Sequence, residues 1–248
     1  MLTGLQLSTL DLVAFAWFVA SAVGLQLLCR VGRVGRHSIT AAVQAHRMAW
    51  MRNMSGRDNR TIDTILLGGL SQGNAFFAST SAIAIGGLTA MLGSGEKVQA
   101  VVDRLPFVQI STALVFDGKI MVLIAIAVFA FFKFAWAFRL SHYVSIMIGS
   151  TPILTADNRP ECELHAARAA RLVGIAAEHA NSGLRSFYYA IAAMAWFIHP
   201  LAFIAATTWM LVILVRREFF SRSLGVLSNS WTPPVSSRPE TGGMQQGS

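Results

Sequence analysis

Long apolar runs, separated by shorter basic or polar stretches, dominate the hydropathy pattern of the chain. Four runs predict membrane-spanning helices, because each holds at least the ~17 residues needed to cross a bilayer: residues 7–28, 62–92, 120–136 and 184–215. The third run can continue as one helix to residue 148, and Pro200 predicts a kink in the fourth. The predicted fold class is all-α, a polytopic membrane helical bundle with four transmembrane helices and cytoplasmic interfacial helices.

Two amphipathic patterns lie between these runs. Residues 39–54 place Ile39, Val43, His46 and Trp50 on one helical face, which predicts an interfacial helix lying in the headgroup plane. Residues 160–180 open with a proline and acidic residues, as helices often do. They separate an alanine-rich face, which can pack closely against another helix, from a charged face that meets water or a partner.

The second apolar run also carries small and polar residues at helical spacing. One stripe holds Gly68, Gln72, Ala75, Ser79, Ala82 and Gly86. Small residues let a neighbouring backbone approach closely, so this stripe predicts a helix packed inside the bundle, where Gly73 tolerates bulk poorly and Ser79→Ala is mild. The alternative is a polar lining for a substrate path, in which Asn74 would be a functional intramembrane residue.

Composition agrees with a membrane protein. Hydrophobic residues make up 54% of the chain and charged residues 13%, with a mean hydropathy of +0.54, which is too apolar for a soluble domain of this length. The formal net charge is +8, and its arginines concentrate between apolar runs, so loop retention in the cytoplasm explains them better than nucleic-acid binding. No nucleic-acid partner is predicted.

The distribution of arginine predicts an orientation. Seven arginines and a single acid, Asp58, lie between the first two runs, which places this connection in the cytoplasm and the N-terminus outside. Four spans then put the C-terminus outside, although Arg216 and Arg217 follow the fourth run and disfavour that side. Residues 1–220 form the predicted membrane domain, and residues 221–248, rich in serine, glycine and proline, a disordered tail.

A few polar residues are candidates for function. Arg52, Arg57 and Arg60 could contact anionic lipid headgroups, although membrane topology alone also explains them. Lys133 lies where its side chain can snorkel to the membrane surface. His199 lies deep in the fourth run, where a neutral ring bonded to a carbonyl freed by Pro200 is expected.

The sequence carries no motif for catalysis. Nucleophile elbows, phosphate-binding loops, dinucleotide fingerprints and zinc-ligand spacings are all missing, so no catalytic residue, metal ligand or cofactor is predicted. The two cysteines, Cys29 and Cys162, both fall on the predicted cytoplasmic side and indicate no disulfide.

Three stretches, residues 52–92, 131–139 and 184–220, resemble the bacterial and plant membrane proteins grouped as domain of unknown function 599. The resemblance implies a small multi-pass bundle. It supplies neither catalytic residues nor an activity.

The leading functional hypothesis is a non-enzymatic scaffold or accessory subunit, whose cytoplasmic helices dock a protein partner or a second copy of the chain. A small-solute transporter or channel is the alternative, favoured by the polar residues of the second run, and a membrane-embedded lipid-modifying enzyme is the third. The expected location is the bacterial inner (plasma) membrane, with anionic headgroups as lipid contacts.

Overall fold

A computed structural model describes residues 8–30, 38–102 and 112–229. Within these ranges the regular structure is entirely helical, which confirms the all-α prediction. The helices are α1 (Thr9–Arg30), α2 (Ile39–Ser55), α3 (Thr61–Gly93), α4 (Gly95–Val102), α5 (Ala113–Gly149), α6 (Arg159–Met194), α7 (Pro200–Phe219) and α8 (Arg222–Asn229), with a 3-10 turn at Ala195–Phe197. Among the described residues, four stretches are long and apolar enough to cross a membrane: Thr9–Cys29, Thr61–Gly93, Ala113–Gly149 and Pro200–Ser228.

The helices share two ends, which we call the upper end and the base. At the upper end, the indole of Trp196 donates a hydrogen bond to Asp11 in the first turn of α1. Lys119, near the start of α5, donates to the backbone carbonyl of the same tryptophan. At the base, Trp50 of α2 donates to Asp63 in the first turn of α3. These contacts place the starts of α1, α5 and α7 together and the start of α3 at the opposite end.

Helix α6 runs back along α5 through the whole bundle. Its first half contacts the end of α5, where the His165 ring lies 2.8 Å from the carbonyl oxygen of Met147. Beyond its middle, Gly183 packs directly under the ring of Phe134, and the 3-10 turn that follows α6 reaches Lys119 through the Trp196 carbonyl. The C-terminal half of α6 therefore lies in the same layer as the apolar helices, although hydropathy does not single it out.

The predicted single kinked span over residues 184–215 is wrong. The chain leaves α6 at Met194, turns at Ala195–Phe197 and His199, and starts α7 at Pro200. His199 is extended, with φ −160° and ψ 143°, because a residue before proline is pushed out of the helical region. Proline lacks the N–H that a continuing helix needs but suits a first helical turn. Pro200 therefore separates two helices.

Helix α7 consequently runs parallel to α1. The rings of Phe18 and Phe203 are 5.1 Å apart in the upper half, and Glu218, near the end of α7, accepts a 2.6 Å hydrogen bond from Thr40 of α2. Arg216 and Arg217 thus lie toward the base, on the same side as the arginine-rich first connection. This position agrees with the positive-inside rule, which the four predicted spans did not satisfy at these two arginines.

A basal module extends beyond the shorter helices α1 and α7. Tyr188 of α6 meets Arg217 near the end of α7, whereas α6 begins 29 residues before that tyrosine. The module consists of α2 and residues 61–76, 137–149 and 159–182. The alanine-rich face of α6 packs here, as predicted, with Ala166, Ala169 and Ala170 buried against Met51 and Met54 of α2.

Helix α8 lies within the first part of the predicted tail. Residues 222–229 form a short helix whose Leu227 carbonyl oxygen lies 3.1 Å from the His46 ring on α2. The described helices thus continue past residue 221, and the extent of a disordered tail stays a prediction. Residues 230–248, the rest of the predicted disordered tail, lie outside the described residues.

Candidate functional site

The small-residue stripe of α3 faces outward. Gly68, Gln72, Ser79, Ala82 and Gly86 are exposed, whereas Asp63, Leu67 and Ser81 are the buried positions of this helix. A Cβ built on Gly68, Gly73 or Gly86 would meet nothing within 4 Å among the described residues. The prediction that this stripe packs inside the bundle is therefore wrong, since larger side chains such as Leu67 provide the contacts with α5.

The outward face of α3, meaning its exposed residues from 62 to 90, is mostly apolar. Its largest side chains are open to the surroundings, with Phe76 64% and Ile83 76% exposed. Gly69 and Gly73 lie four residues apart in its basal half, with exposed Gln72 beside them. Two glycines at this spacing form the most familiar close-packing motif of membrane helices. The sequence contains this signal, but the sequence prediction assigns it to a contact within the chain.

The arginines of the base mostly serve the fold. The Arg57 guanidinium lies 2.8 Å from the carboxylate of Asp63, which is fully buried and also accepts from Trp50. Arg60 donates to the backbone carbonyls of Thr151 and Pro152 and so satisfies groups just beyond the end of α5.

The lipid contact of these arginines stays a prediction. Arg52 is exposed on α2, and Arg57 keeps 45% of its side chain exposed. Each can therefore reach an anionic headgroup. Arg57 and Arg60 stabilise the bundle whether or not lipid binds.

A polar cavity of about 200 Å³ lies where α2, α3, α5 and α6 meet. Its polar lining comes from Arg47, Asn74, Ser141 and Asn181, and the rest is aliphatic. Asn74 was a candidate from sequence, whereas Arg47 was hidden among seven arginines of one connection. Only the packing of α2 against α6 brings these residues together, so no local sequence signal could have selected Arg47.

Arg47 is the half-buried cation of this cavity. Its guanidinium makes a long 3.4 Å contact with the Gln44 side-chain oxygen, while the Gln44 amide donates to the Ala170 carbonyl at 3.0 Å. Burial lowers the pKa of Arg47 from its ordinary value because it removes water from the charged group. Arginine remains charged at such a site, so the cavity carries a positive charge.

A second polar cluster lies at the upper end. Trp196 connects Asp11, at 2.7 Å from its indole nitrogen, with Lys119, at 2.9 Å from its carbonyl oxygen. Both charged side chains are buried, and the Lys119 ammonium also lies 5.5 Å from the Trp196 ring centre. The pattern of apolar runs in the sequence singles out neither Asp11 nor Lys119.

Lys133 and His199 have local roles. The Lys133 ammonium lies 5.0 Å from the Phe129 ring one turn earlier. His199 accepts a hydrogen bond from the Leu201 N–H through Nδ1, so it caps α7. The predicted bond to a freed carbonyl is wrong, because the break before Pro200 leaves helix donors without partners.

The described residues bring no three His, Cys, Asp or Glu side chains together as a metal site. In the same part of the chain, Cys29 and Cys162 are free thiols.

Comparison with known proteins identifies the family of the chain. The family described as "Protein of unknown function, DUF599" matches residues 13–223, from the first turns of α1 to the beginning of α8. The chain belongs to the DUF599 family. The match confirms the resemblance expected from the three sequence stretches. No curated protein and no solved structure matches the chain. Membership of DUF599 and the four apolar stretches identify a multi-pass membrane protein of unknown activity.

Proposed function

We propose that this protein is a non-enzymatic membrane scaffold subunit that assembles with a second copy of itself through the outward face of α3. The observation that carries the proposal is the exposure of Gly69, Gln72 and Gly73 in the basal half of the long, mostly apolar outward face of α3. These residue types favour close contact with another helix.

The length of α3 supports a protein partner over lipid alone. Helix α3 has 33 residues and α1 has 22, so α3 is longer by about 16 Å at ~1.5 Å per residue. The excess lies in the basal module, where Ile62, Ile65 and Leu66 are exposed. A bilayer matched to α1 leaves these side chains in water, whereas a neighbouring helix covers them.

The chemistry of the face suits a second copy. Around a twofold axis along the membrane normal, two α3 helices run parallel, and each residue near the axis meets its own equivalent. Gly69 and Gly73 then allow close backbone approach, and Gln72, which both donates and accepts, can bond to the Gln72 of the partner subunit.

Orientation follows from the parallel course of α1 and α7. With the C-terminal half of α6 as a fifth crossing, the base holds the arginine-rich first connection together with Arg216 and Arg217. The positive-inside rule places this end in the cytoplasm and the N-terminus outside, in a bacterial inner membrane with anionic headgroups. Labelling supports this if Ser94→Cys reacts only from outside and Asn53→Cys, at an exposed position of α2, only from the cytoplasm. The reverse pattern contradicts it.

The assembly is tested by the molar mass of the purified protein in mild detergent. The parent is expected to be a dimer, and Gly69→Leu with Gly73→Leu is expected to give a monomer of unchanged helicity, because leucine separates the backbones. Gly24→Leu is the matched control, since Gly24 is exposed on α1 and also has open space around it. A monomeric parent, or a dimeric double variant, contradicts the proposal.

A small-solute transporter is the second candidate. It is favoured by two cavities that lie on either side of a group of aromatic rings. An apolar cavity of about 530 Å³ lies between α3, α5 and α6 in the upper half. The rings of Phe77, Phe134 and Phe187 separate it from the Arg47 cavity, with centres 5.1 to 5.9 Å apart. Such a constriction can gate a path. Flux of anionic solutes from proteoliposomes that rises in Phe134→Ala supports transport, and equal flux from empty liposomes excludes it.

A further inference from the structure

We propose that the Arg47 cavity binds a phosphate group, presented either by an anionic lipid headgroup or by a free phosphate. The inference goes beyond the scaffold role, since Gly69, Gln72 and Gly73 of the proposed dimer contact do not line the cavity. It rests on the charge, the donors and the size of the cavity.

Within the part of the chain that the structure describes, the charge of Arg47 has no carboxylate partner. Among the described residues its hydrogen bonding is limited to the 3.4 Å contact with Gln44, and the ion pair at this end of the bundle joins Arg57 to Asp63. Arg60, by comparison, donates to three backbone carbonyls. A charge that is partly removed from water is costly unless it is paired and hydrogen-bonded, so the half-buried guanidinium of Arg47 fits an anionic ligand.

The donors around the cavity complete such a site. The side-chain amides of Asn74 and Asn181 line it, and neither forms a hydrogen bond with the part of the chain that the structure describes. The Ser141 hydroxyl already donates to the Ala137 carbonyl at 3.0 Å, so the amides and the guanidinium supply the free N–H groups. A guanidinium binds phosphate through two parallel N–H donors, and each amide adds one more.

The size and position of the cavity restrict the ligand. A volume of about 200 Å³ holds several non-hydrogen atoms but is smaller than a typical drug-sized pocket, which starts at roughly 300 Å³. Asn181 lies two residues from Gly183, where α6 passes under Phe134, so the cavity lies within the basal module, next to the apolar layer. A phosphate at this depth comes from a headgroup or from the aqueous phase on the basal side.

The experiment measures binding to the purified full-length protein in a neutral detergent. One arm titrates inorganic phosphate, and the other titrates phosphatidylglycerol, with phosphatidylcholine as the zwitterionic control, while the melting temperature is recorded. Arg47→Gln is expected to weaken binding roughly 10-fold to 100-fold, as loss of a hydrogen-bonded charge does. Arg52→Gln removes an equal charge from an exposed site on the same helix and should change the affinity less than about twofold.

Each outcome decides the proposal. Stabilisation by inorganic phosphate that Arg47→Gln removes supports a free phosphate, and stabilisation by phosphatidylglycerol alone that the same variant removes supports a headgroup. Asn74→Leu, which keeps the arginine and removes one amide, should weaken binding as well and replaces Arg47→Gln if that variant does not fold. The proposal is overturned if neither ligand stabilises the parent, or if Arg52→Gln weakens binding as much as the cavity variants.

Discussion

The two ends of the bundle differ in how completely their charged side chains are hydrogen-bonded within the chain. At the upper end, Lys119 and Asp11 are joined through Trp196, whose carbonyl oxygen and indole N–H satisfy one charge each. At the base, Arg47 faces a cavity with one long contact to Gln44. A charge satisfied inside the chain stabilises the fold, whereas a charge left with room beside it suits a ligand.

The α1 and α7 side of the bundle also differs from the α3 side. The α1 and α7 helices meet each other through interlocked aromatic rings, including Phe18 and Phe203. Helix α3 also exposes apolar side chains, as α1 and α7 do at Leu27 and Trp209, but it adds exposed glycines at helical spacing. The aromatic contact lies inside the protomer, whereas the glycine-containing face is the one that we propose for a second copy.

The largest expected effect comes from breaking the satisfied charges. Lys119→Met should destabilise the protein by ~3–5 kcal/mol, because it leaves the buried Asp11 without its opposite charge. Chemical unfolding in detergent micelles measures the loss. Combining Lys119→Met with Asp11→Asn should recover most of it, since no buried charge then stays uncompensated. Equal stabilities of Lys119→Met and the parent would show that Asp11 does not depend on Lys119.

A smaller loss of stability is expected where α6 packs against α5 in the interior of the bundle. A Cβ on Gly183 would lie 2.7 Å from the Phe134 ring, so Gly183→Ala should cost ~1–3 kcal/mol by overpacking. The same unfolding assay measures it. Gly24→Ala is the matched control, because its Cβ has open space, and should change stability little. Similar losses in both variants would point to an effect of helix backbone and not of packing.

The unpaired charge of the base should behave in the opposite way to Lys119. Without added phosphate or anionic lipid, Arg47→Met should change the free energy of unfolding by less than about 1 kcal/mol or raise it, because replacing a poorly paired, half-buried charge by an apolar side chain is often neutral. Thermal unfolding in lipid-free detergent provides the measurement. A loss as large as that of Lys119→Met would mean that Arg47 holds the fold together.

The smallest effects on the isolated protomer are expected on α3. The sequence alone predicts that Gly73→Leu is severe and Ser79→Ala mild. Because Gly73 has open space in the protomer, we now expect both variants to melt within a few degrees of the parent at protein concentrations below dimer formation. Gly73→Leu should lower only the melting temperature of the dimer. A Gly73→Leu protomer that unfolds far below the Ser79→Ala protomer would place a buried contact at this glycine.

The sequence predicted which segments are helical, but not how all of these helices run relative to one another. Hydropathy located α1, α3 and α5 within a few residues at most boundaries, since long apolar runs have few alternatives. It merged the second half of α6 with α7, because the apolar run continues across Pro200 and does not show that the chain reverses there. The wrong direction of α7 then produced the conflict over Arg216 and Arg217.

The candidate site was less accessible to prediction for a physical reason. Periodicity shows that the small residues of α3 share a face, but not whether that face contacts the same chain or another. Asn74 was selected because a polar residue in an apolar run is unusual. Arg47 became distinctive only through packing, since its cavity combines residues from four helices that are up to 134 positions apart in the chain.

Cysteine cross-linking in native membranes tests the assembly through α3 most directly. Gln72→Cys, placed beside the predicted twofold axis, should form a disulfide-linked dimer under mild oxidation, with the parent as the background for Cys29 and Cys162. Leu27→Cys, at an exposed position of α1, is the control and should stay monomeric. The account predicts a dimer band for Gln72→Cys that Gly69→Leu abolishes. A Gln72→Cys chain that stays monomeric, or cross-links no faster than Leu27→Cys, would contradict it.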